Sequence, residues 1–103
     1  MHVLAEPLRE LITETFLAVG CSEAEARRIA VNLVEANLTG HDSHGVIRTQ
    51  MYVILLQWEV QLPDQEVEGL GDQGSLLLVT GLYGMGQTVG PQAVELGIER
   101  ARA

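Results

Sequence analysis

The chain contains no lysine. Its basic residues are six arginines, set against 14 acidic residues, and the formal net charge is −8. A surface that follows a nucleic-acid backbone needs a basic stripe, which this composition does not supply. The absence of lysine also excludes a Schiff-base lysine and a Walker-type phosphate loop within the chain. We therefore expect no nucleic-acid partner, and we interpret the acidity as favouring solubility.

Cysteine and long apolar runs are also scarce. The one cysteine, Cys21, cannot form an internal disulfide, and no arginine or histidine flanks it to activate the thiol, so we expect it to pack as a small apolar residue. No apolar run approaches the roughly 20 residues that span a bilayer, and the amino terminus does not resemble a signal peptide. These features predict a small, soluble, cytoplasmic domain with no membrane partner.

Two amphipathic helices are predicted in the first forty residues. Apolar side chains recur at spacings of three and four between about Pro7 and Val19, and Gly20 suits the position just after a helix. Ser22 and Glu25 have the spacing of a capping box, in which the serine caps the helix and the glutamate reaches back. The second helix is predicted to continue to about residue 38.

The rest of the chain predicts a third helix, a hairpin and a fourth helix. The third helix is expected to begin near Asp42 or Ser43, either of which can cap it, and to run to about Trp58. After "QLPDQ", the segments "QEVEGL" and "SLLLVT" are typical of short strands joined by a "GDQG" turn. The final helix is expected from about Pro91. Three helices, a hairpin and a helix indicate an α+β fold.

The glycine-rich segment "GLYGMGQTVG" lies between a predicted strand and a predicted helix, which is the context of a dinucleotide fingerprint. Its glycines at positions 84, 86 and 90 match that fingerprint only approximately. We interpret the segment as a tight strand-to-helix turn in which glycines supply positive φ angles. These glycines are therefore not assigned to a cofactor.

The segment "TGHDSHGVIRTQMY" clusters ionisable side chains at the predicted start of the third helix. His44 and Arg48 are four residues apart and would share one helix face. Unpaired N–H groups at a helix start, together with the hydroxyl of Ser43, would form an anion receptor, and Gly45 would leave space for the ligand. Arginine matches a carboxylate through two hydrogen bonds, and histidine can transfer a proton near neutral pH.

Two other interpretations of this segment stay open from the residue types alone. Asp42 and Ser43 are common helix caps, and Arg48 could simply be solvated. His41, Asp42 and His44 are all metal-ligand types, but no further cysteine or histidine lies nearby to complete a site, so no metal is expected.

The string "LVEANLTGHDSHGVIRTQMY" resembles the N-terminal signature of the type-2 malate/L-lactate dehydrogenase family, and "GMGQTVGPQAVELGIERARA" is similar to the segment that follows it. The resemblance implies an NAD(P)-dependent reductase of small 2-oxo acids, with a fold that is not a Rossmann domain. It also implies two regions. Residues 1–60 would form a helical region that carries the motif, and residues 61–103 would begin a larger domain.

The resemblance also implies roles for individual residues. His44 would be the catalytic proton donor, although some members use a histidine further downstream, and Ser43 and Arg48 would bind the substrate. Asp42 is expected to cap the helix. NAD or NADP would be bound mainly by downstream segments, and the full-length form would be a homodimer. The chain is thus expected to be an N-terminal fragment, inactive alone. The alternative is a non-catalytic helical remnant or interaction module.

Overall fold

A computed structural model describes residues 2–103. It contains four α-helices and one antiparallel hairpin: α1 (Ala5–Ala18), α2 (Glu23–Leu38), α3 (Thr49–Gln57), β1 (Glu68–Gln73), β2 (Leu76–Thr80) and α4 (Gly86–Arg102). The predicted α+β fold, with three helices, a hairpin and a last helix, is therefore confirmed. Within this part of the chain, no helix is both long and apolar enough to cross a membrane.

The core lies between α1 and α2, whose apolar faces follow the predicted helical spacing. Gly20, with φ of 106°, ends α1 as expected of a left-handed glycine. Met85, the N-cap residue of α4, joins this core, and α3 joins it through Leu56. The buried apolar cluster consists of Ile12, Phe16, Cys21, Ala26, Ile29, Ala30, Leu33, Leu56 and Met85.

The capping box predicted at the start of α2 is only half present. The Ser22 hydroxyl accepts a hydrogen bond from the Glu25 N–H at 3.2 Å, as predicted. Glu25 does not reach back to the Ser22 N–H, which donates instead to the Asp64 carboxylate at 2.8 Å. The Glu25 side chain turns inward and is fully buried, because the Asp64 N–H and the Thr88 hydroxyl both donate to its carboxylate.

The predicted start of the third helix is wrong. Residues 42–48 form two short 3₁₀ turns, Asp42–His44 and Val46–Arg48, and the α-helix begins only at Thr49. Gly45 separates the turns in an extended conformation, with φ of −92° and ψ of −149°, which interrupts any continuous helix. Consequently neither predicted residue caps α3, whose N-cap position is Arg48.

The hairpin and α4 differ from their predicted bounds. "GDQ" of the predicted turn belongs to β1, so the strands are joined by Gly74 and Ser75, and Gly74 has φ of 65°. α4 begins at Gly86 and contains Pro91, the residue at which it was expected to start. An ion pair between Arg100 and Asp72 ties the last turn of α4 to β1. This pairing holds the Asp72 pKa below its usual range.

The glycine-rich segment is a turn, but its glycines do not supply the positive φ angles that we predicted. Those angles belong to Leu82 (54°) and Tyr83 (61°). Gly84 is needed for close packing instead, since a Cβ there would lie 2.8 Å from the Gln65 Cβ and 2.9 Å from the Val89 Cγ1. The segment therefore serves to bring α4 tightly against the preceding loop.

Candidate functional site

Ser43 lies at the centre of the motif segment and contacts both other predicted site residues. Its hydroxyl oxygen is 3.0 Å from the His44 Nδ1, and its backbone carbonyl accepts a 2.7 Å hydrogen bond from the Arg48 Nε. All three side chains are exposed. The segment therefore presents a hydroxyl, an imidazole and a guanidinium side by side on an accessible surface.

One nitrogen of the Arg48 guanidinium is hydrogen-bonded, and the opposite edge of the group is accessible. Only its Nε is hydrogen-bonded, whereas the two terminal nitrogens have no partner among residues 2–103. Two parallel N–H groups are the arrangement that binds a carboxylate bidentately. The arginine borders a shallow surface pocket lined by Ser43, Ile47, Arg48, Gln50, Met51 and Ile54. The lining of this pocket is thus polar at Ser43, Arg48 and Gln50, and its remaining residues are apolar.

Four backbone N–H groups of the segment are already bonded within the chain and are therefore not available to the predicted anion receptor. They donate from His44 to His41 O (2.9 Å), from Gly45 to Asp42 O (3.1 Å), from Val46 to Asn37 Oδ1 (2.8 Å) and from Arg48 to Gly45 O (3.0 Å). His44 and Arg48 also do not share a face of one α-helix, since Gly45 interrupts the helix between them.

We predicted that Gly45 leaves space for a ligand, and this prediction is wrong. Gly45 is buried, and a Cβ at this position would lie 2.2 Å from the Asn37 Oδ1. Asp42 does not cap a helix either, since its carboxylate accepts a 2.8 Å hydrogen bond from the Asn37 Nδ2. Asn37 was missed by the sequence analysis. The only sequence feature that could have indicated its role is an asparagine shortly before a glycine. Asparagine side chains favour hydrogen bonds to nearby turns.

The potential metal ligands of the segment point to separate partners. The His41 ring contacts the Thr39 hydroxyl at 3.3 Å, Asp42 faces Asn37, and His44 faces Ser43. In the part of the chain that the structure describes, no three His, Cys, Asp or Glu residues are grouped so that they could hold a metal ion.

The glycine-rich turn does not fit a dinucleotide. The fingerprint requires a parallel βαβ unit, but the strand before this turn belongs to an antiparallel hairpin. Gly84 is occupied by packing against Val89, and the Thr88 hydroxyl, which lies in the first turn of α4, donates to Glu25. The N–H groups of Thr88 and Val89 both donate to the Met85 carbonyl. Gly84, the Thr88 hydroxyl and these two N–H groups therefore already make contacts within the chain.

Comparison with known proteins identifies related sequences over nearly the whole chain. A family model described as malate/L-lactate dehydrogenase matches residues 3–103. Hydroxycarboxylate dehydrogenase B of Escherichia coli K12 is 34% identical over 98 residues, which are 94% of this chain and 27% of that protein. L-sulfolactate dehydrogenase of Methanocaldococcus jannaschii is 30% identical over 102 residues, which are 99% of this chain and 30% of that protein.

Solved structures show the same similarity. Malate dehydrogenase from Pyrococcus horikoshii OT3 superimposes with a TM-score of 0.89 at 30% identity, over 99% of this chain and 29% of the other. A dehydrogenase from Sinorhizobium meliloti superimposes with a TM-score of 0.92 at 27% identity, over 99% of this chain and 32% of the other. The chain spans 27–30% of the length of the two curated relatives.

Proposed function

Because this chain belongs to the malate/L-lactate dehydrogenase family, we propose that it forms the substrate-holding part of an oxidoreductase that transfers a hydride between NAD(P)H and a small 2-oxo or 2-hydroxy acid. The observation that supports this role is the contact of Ser43 with both His44 and Arg48. A 2-oxo acid carries a carboxylate next to a carbonyl, and reduction needs a proton at the carbonyl oxygen. Arginine and histidine are suited to these two tasks.

Arg48 is the proposed carboxylate ligand. The bond from its Nε to the Ser43 carbonyl fixes the guanidinium plane at one edge, so that the terminal nitrogens can pair with the two oxygens of a carboxylate. Holding the carboxylate at both oxygens also fixes the orientation of the adjacent carbonyl carbon. Ser43 is the proposed second substrate ligand, since its hydroxyl lies on the same exposed surface.

His44 is the proposed proton donor. With the Ser43 hydroxyl at its Nδ1, the ring can present its other nitrogen, Nε2, to a substrate oxygen. Negative charge grows on the carbonyl oxygen as the carbonyl is reduced, and a protonated imidazole beside it can neutralise that charge. The competing assignment places the acid on a downstream histidine, which would leave His44 as a substrate ligand.

NAD or NADP supplies the hydride when it is bound, and the glycine-rich turn of this chain does not fit it. We propose that its site is built by other segments of a longer protein, of which residues 1–60 are the motif-bearing helical region and residues 61–103 the start of a larger domain. Such a protein would be a cytoplasmic homodimer. The names of the E. coli and M. jannaschii relatives denote dehydrogenases of hydroxy acids that carry a carboxylate, which agrees with the proposed role of Arg48.

A chimera can test this proposal. In it, this chain replaces the 27% of the Escherichia coli relative that it matches. We expect the chimera to oxidise NAD(P)H with at least one small 2-oxo acid, with the unaltered relative as the positive control. A chimera that is folded by circular dichroism and binds NAD(P)H, but reduces no 2-oxo acid, would contradict the proposal.

A further inference from the structure

Asn37 connects the end of α2 to both sides of the motif segment. Its Nδ2 donates to the Asp42 carboxylate and its Oδ1 accepts from the Val46 N–H, each at 2.8 Å. Between these two anchor points lie only Ser43, His44 and Gly45. One side-chain amide therefore clamps the short piece of chain that carries two of the proposed site residues.

The Asn37 amide also packs closely against the backbone of the segment at Gly45. Gly45 is buried against the Asn37 amide, and any side chain at residue 45 would collide with it. With the backbone held inward at Gly45, the side chains of Ser43 and His44 point outward, where they contact each other. The position of the imidazole thus depends on a residue that does not touch it.

The two bonds explain why residue 37 is an amide. Asp42 offers only acceptors and the Val46 N–H offers only a donor, so residue 37 must supply one group of each kind. A carboxylate at this position would satisfy Val46 but would place a second negative group against Asp42. An apolar side chain of similar size would leave both partners unsatisfied.

From this geometry we infer that Asn37 is a positioning residue that orients His44 and Ser43 for the proposed proton transfer, an inference that rests on the proposed function. Asn37 acts through the Asp42 and Val46 anchors and does not contact the substrate. Its removal should therefore disturb the imidazole and the rate of reaction more than it disturbs the fold.

A charge-swap experiment on the 103-residue chain tests the clamp. In Asn37→Asp, repulsion between the two carboxylates should move the side chain of residue 37 away from Asp42 and from the Val46 N–H. Hydrogen exchange of the Val46 amide should therefore rise about tenfold or more, and the ¹⁵N signals of the His44 ring should shift. Asp42→Asn alone should change little, since Asn37 can still donate to the amide oxygen. The double variant restores one donor and one acceptor, and both signals should return towards those of the original chain.

Asn32→Asp is the matched control. Asn32 lies on the same helix and bonds only to the Arg28 carbonyl, so its replacement should leave the Val46 and His44 signals unchanged. In the chimera, Asn37→Asp should lower kcat about tenfold, and Asp42→Asn in that background should recover it. Unchanged Val46 and His44 signals in Asn37→Asp, or no recovery in the double variant, would overturn the inference. If the original chimera folds and binds NAD(P)H but is inactive, the proposed function fails, and the exchange and ring signals alone decide whether Asn37 is a clamp.

Discussion

The fully buried carboxylate of Glu25 accepts a 2.7 Å hydrogen bond from the backbone N–H of Asp64, 39 residues further along the chain. The Asp64 carboxylate in turn accepts from the N–H and the hydroxyl of Ser22. Asp64 itself has a left-handed φ of 54°, which costs energy for any residue other than glycine. This reciprocal pair therefore fixes the loop after α3 onto the first turn of α2.

Glu25→Ala should lower the free energy of unfolding by about 1–3 kcal/mol, because it removes the acceptor of the Asp64 N–H and of the buried Thr88 hydroxyl. Glu25→Gln keeps one oxygen for Asp64 and should cost less. Urea unfolding followed by circular dichroism measures both changes. Glu23→Ala, at an exposed position two residues earlier, is the control. Equal effects of Glu25→Ala and Glu23→Ala would contradict the structural role of the buried carboxylate.

Arg48→Lys in the chimera should raise KM for the 2-oxo acid and lower kcat/KM, because an ammonium keeps the charge but loses the two-pronged contact with a carboxylate. Steady-state kinetics with the oxo acid varied measures the change. Arg27→Lys, at an exposed arginine paired with Glu23, is the matched control and should leave both parameters unchanged. Kinetics that are insensitive to Arg48→Lys would remove this arginine from the substrate site.

His44→Ala in the chimera should slow the chemical step by about 10²-fold or more if the imidazole donates the proton. Fluorescence titration should show that NAD(P)H affinity changes far less. His41→Ala supplies the comparison, since His41 lies in the same segment but faces Thr39. A preserved kcat with a raised KM would instead make His44 a substrate ligand and assign the acid to another histidine.

Cys21 should make stability fall at alkaline pH. Burial, followed by the nearby Glu25 carboxylate, raises the pKa of its thiol from 9.0 to about 12. The unfolded chain releases this proton first, so the unfolding free energy should decrease as the pH rises from about 9 towards 12, by at most about 1.4 kcal/mol per pH unit. Urea unfolding at several pH values should show that the unfolding free energy of Cys21→Ala decreases less steeply with pH than that of the original chain. Parallel curves for the two proteins would refute this assignment.

The 103-residue chain by itself should not oxidise NAD(P)H with any 2-oxo acid. Hydride transfer needs reacting atoms about 3–3.5 Å apart, and the glycine-rich turn does not fit the cofactor. The chain should also bind a hydrophobic dye or self-associate, since Ile47 and Trp58 are 73% and 74% exposed and the hairpin leucines are open as well. Measurable turnover would refute the first expectation. A monodisperse monomer by sedimentation, with no dye binding, would refute the second.

The local features of the fold could be read from the sequence because each depends on residues within one or two turns. Gly20 ends α1, Ser22 caps α2, and the apolar spacing of both helices gives the α1–α2 core. The motif around Ser43 and His44 was likewise sufficient to predict the family, which the comparison confirms. Their roles in substrate binding and proton transfer stay predictions.

Only the tertiary structure decided where Glu25 points, where α3 begins and what occupies the space beside Gly45. Glu25 leaves its predicted local bond because a buried carboxylate is stabilised by the N–H of Asp64 and the hydroxyl of Thr88, which lies 63 residues away. The helix expected from Asp42 is interrupted because Asn37 accepts the Val46 N–H across nine residues. In each case a buried or partly buried polar group must find a partner, and its partner lies outside the window in which helical spacing and capping patterns operate.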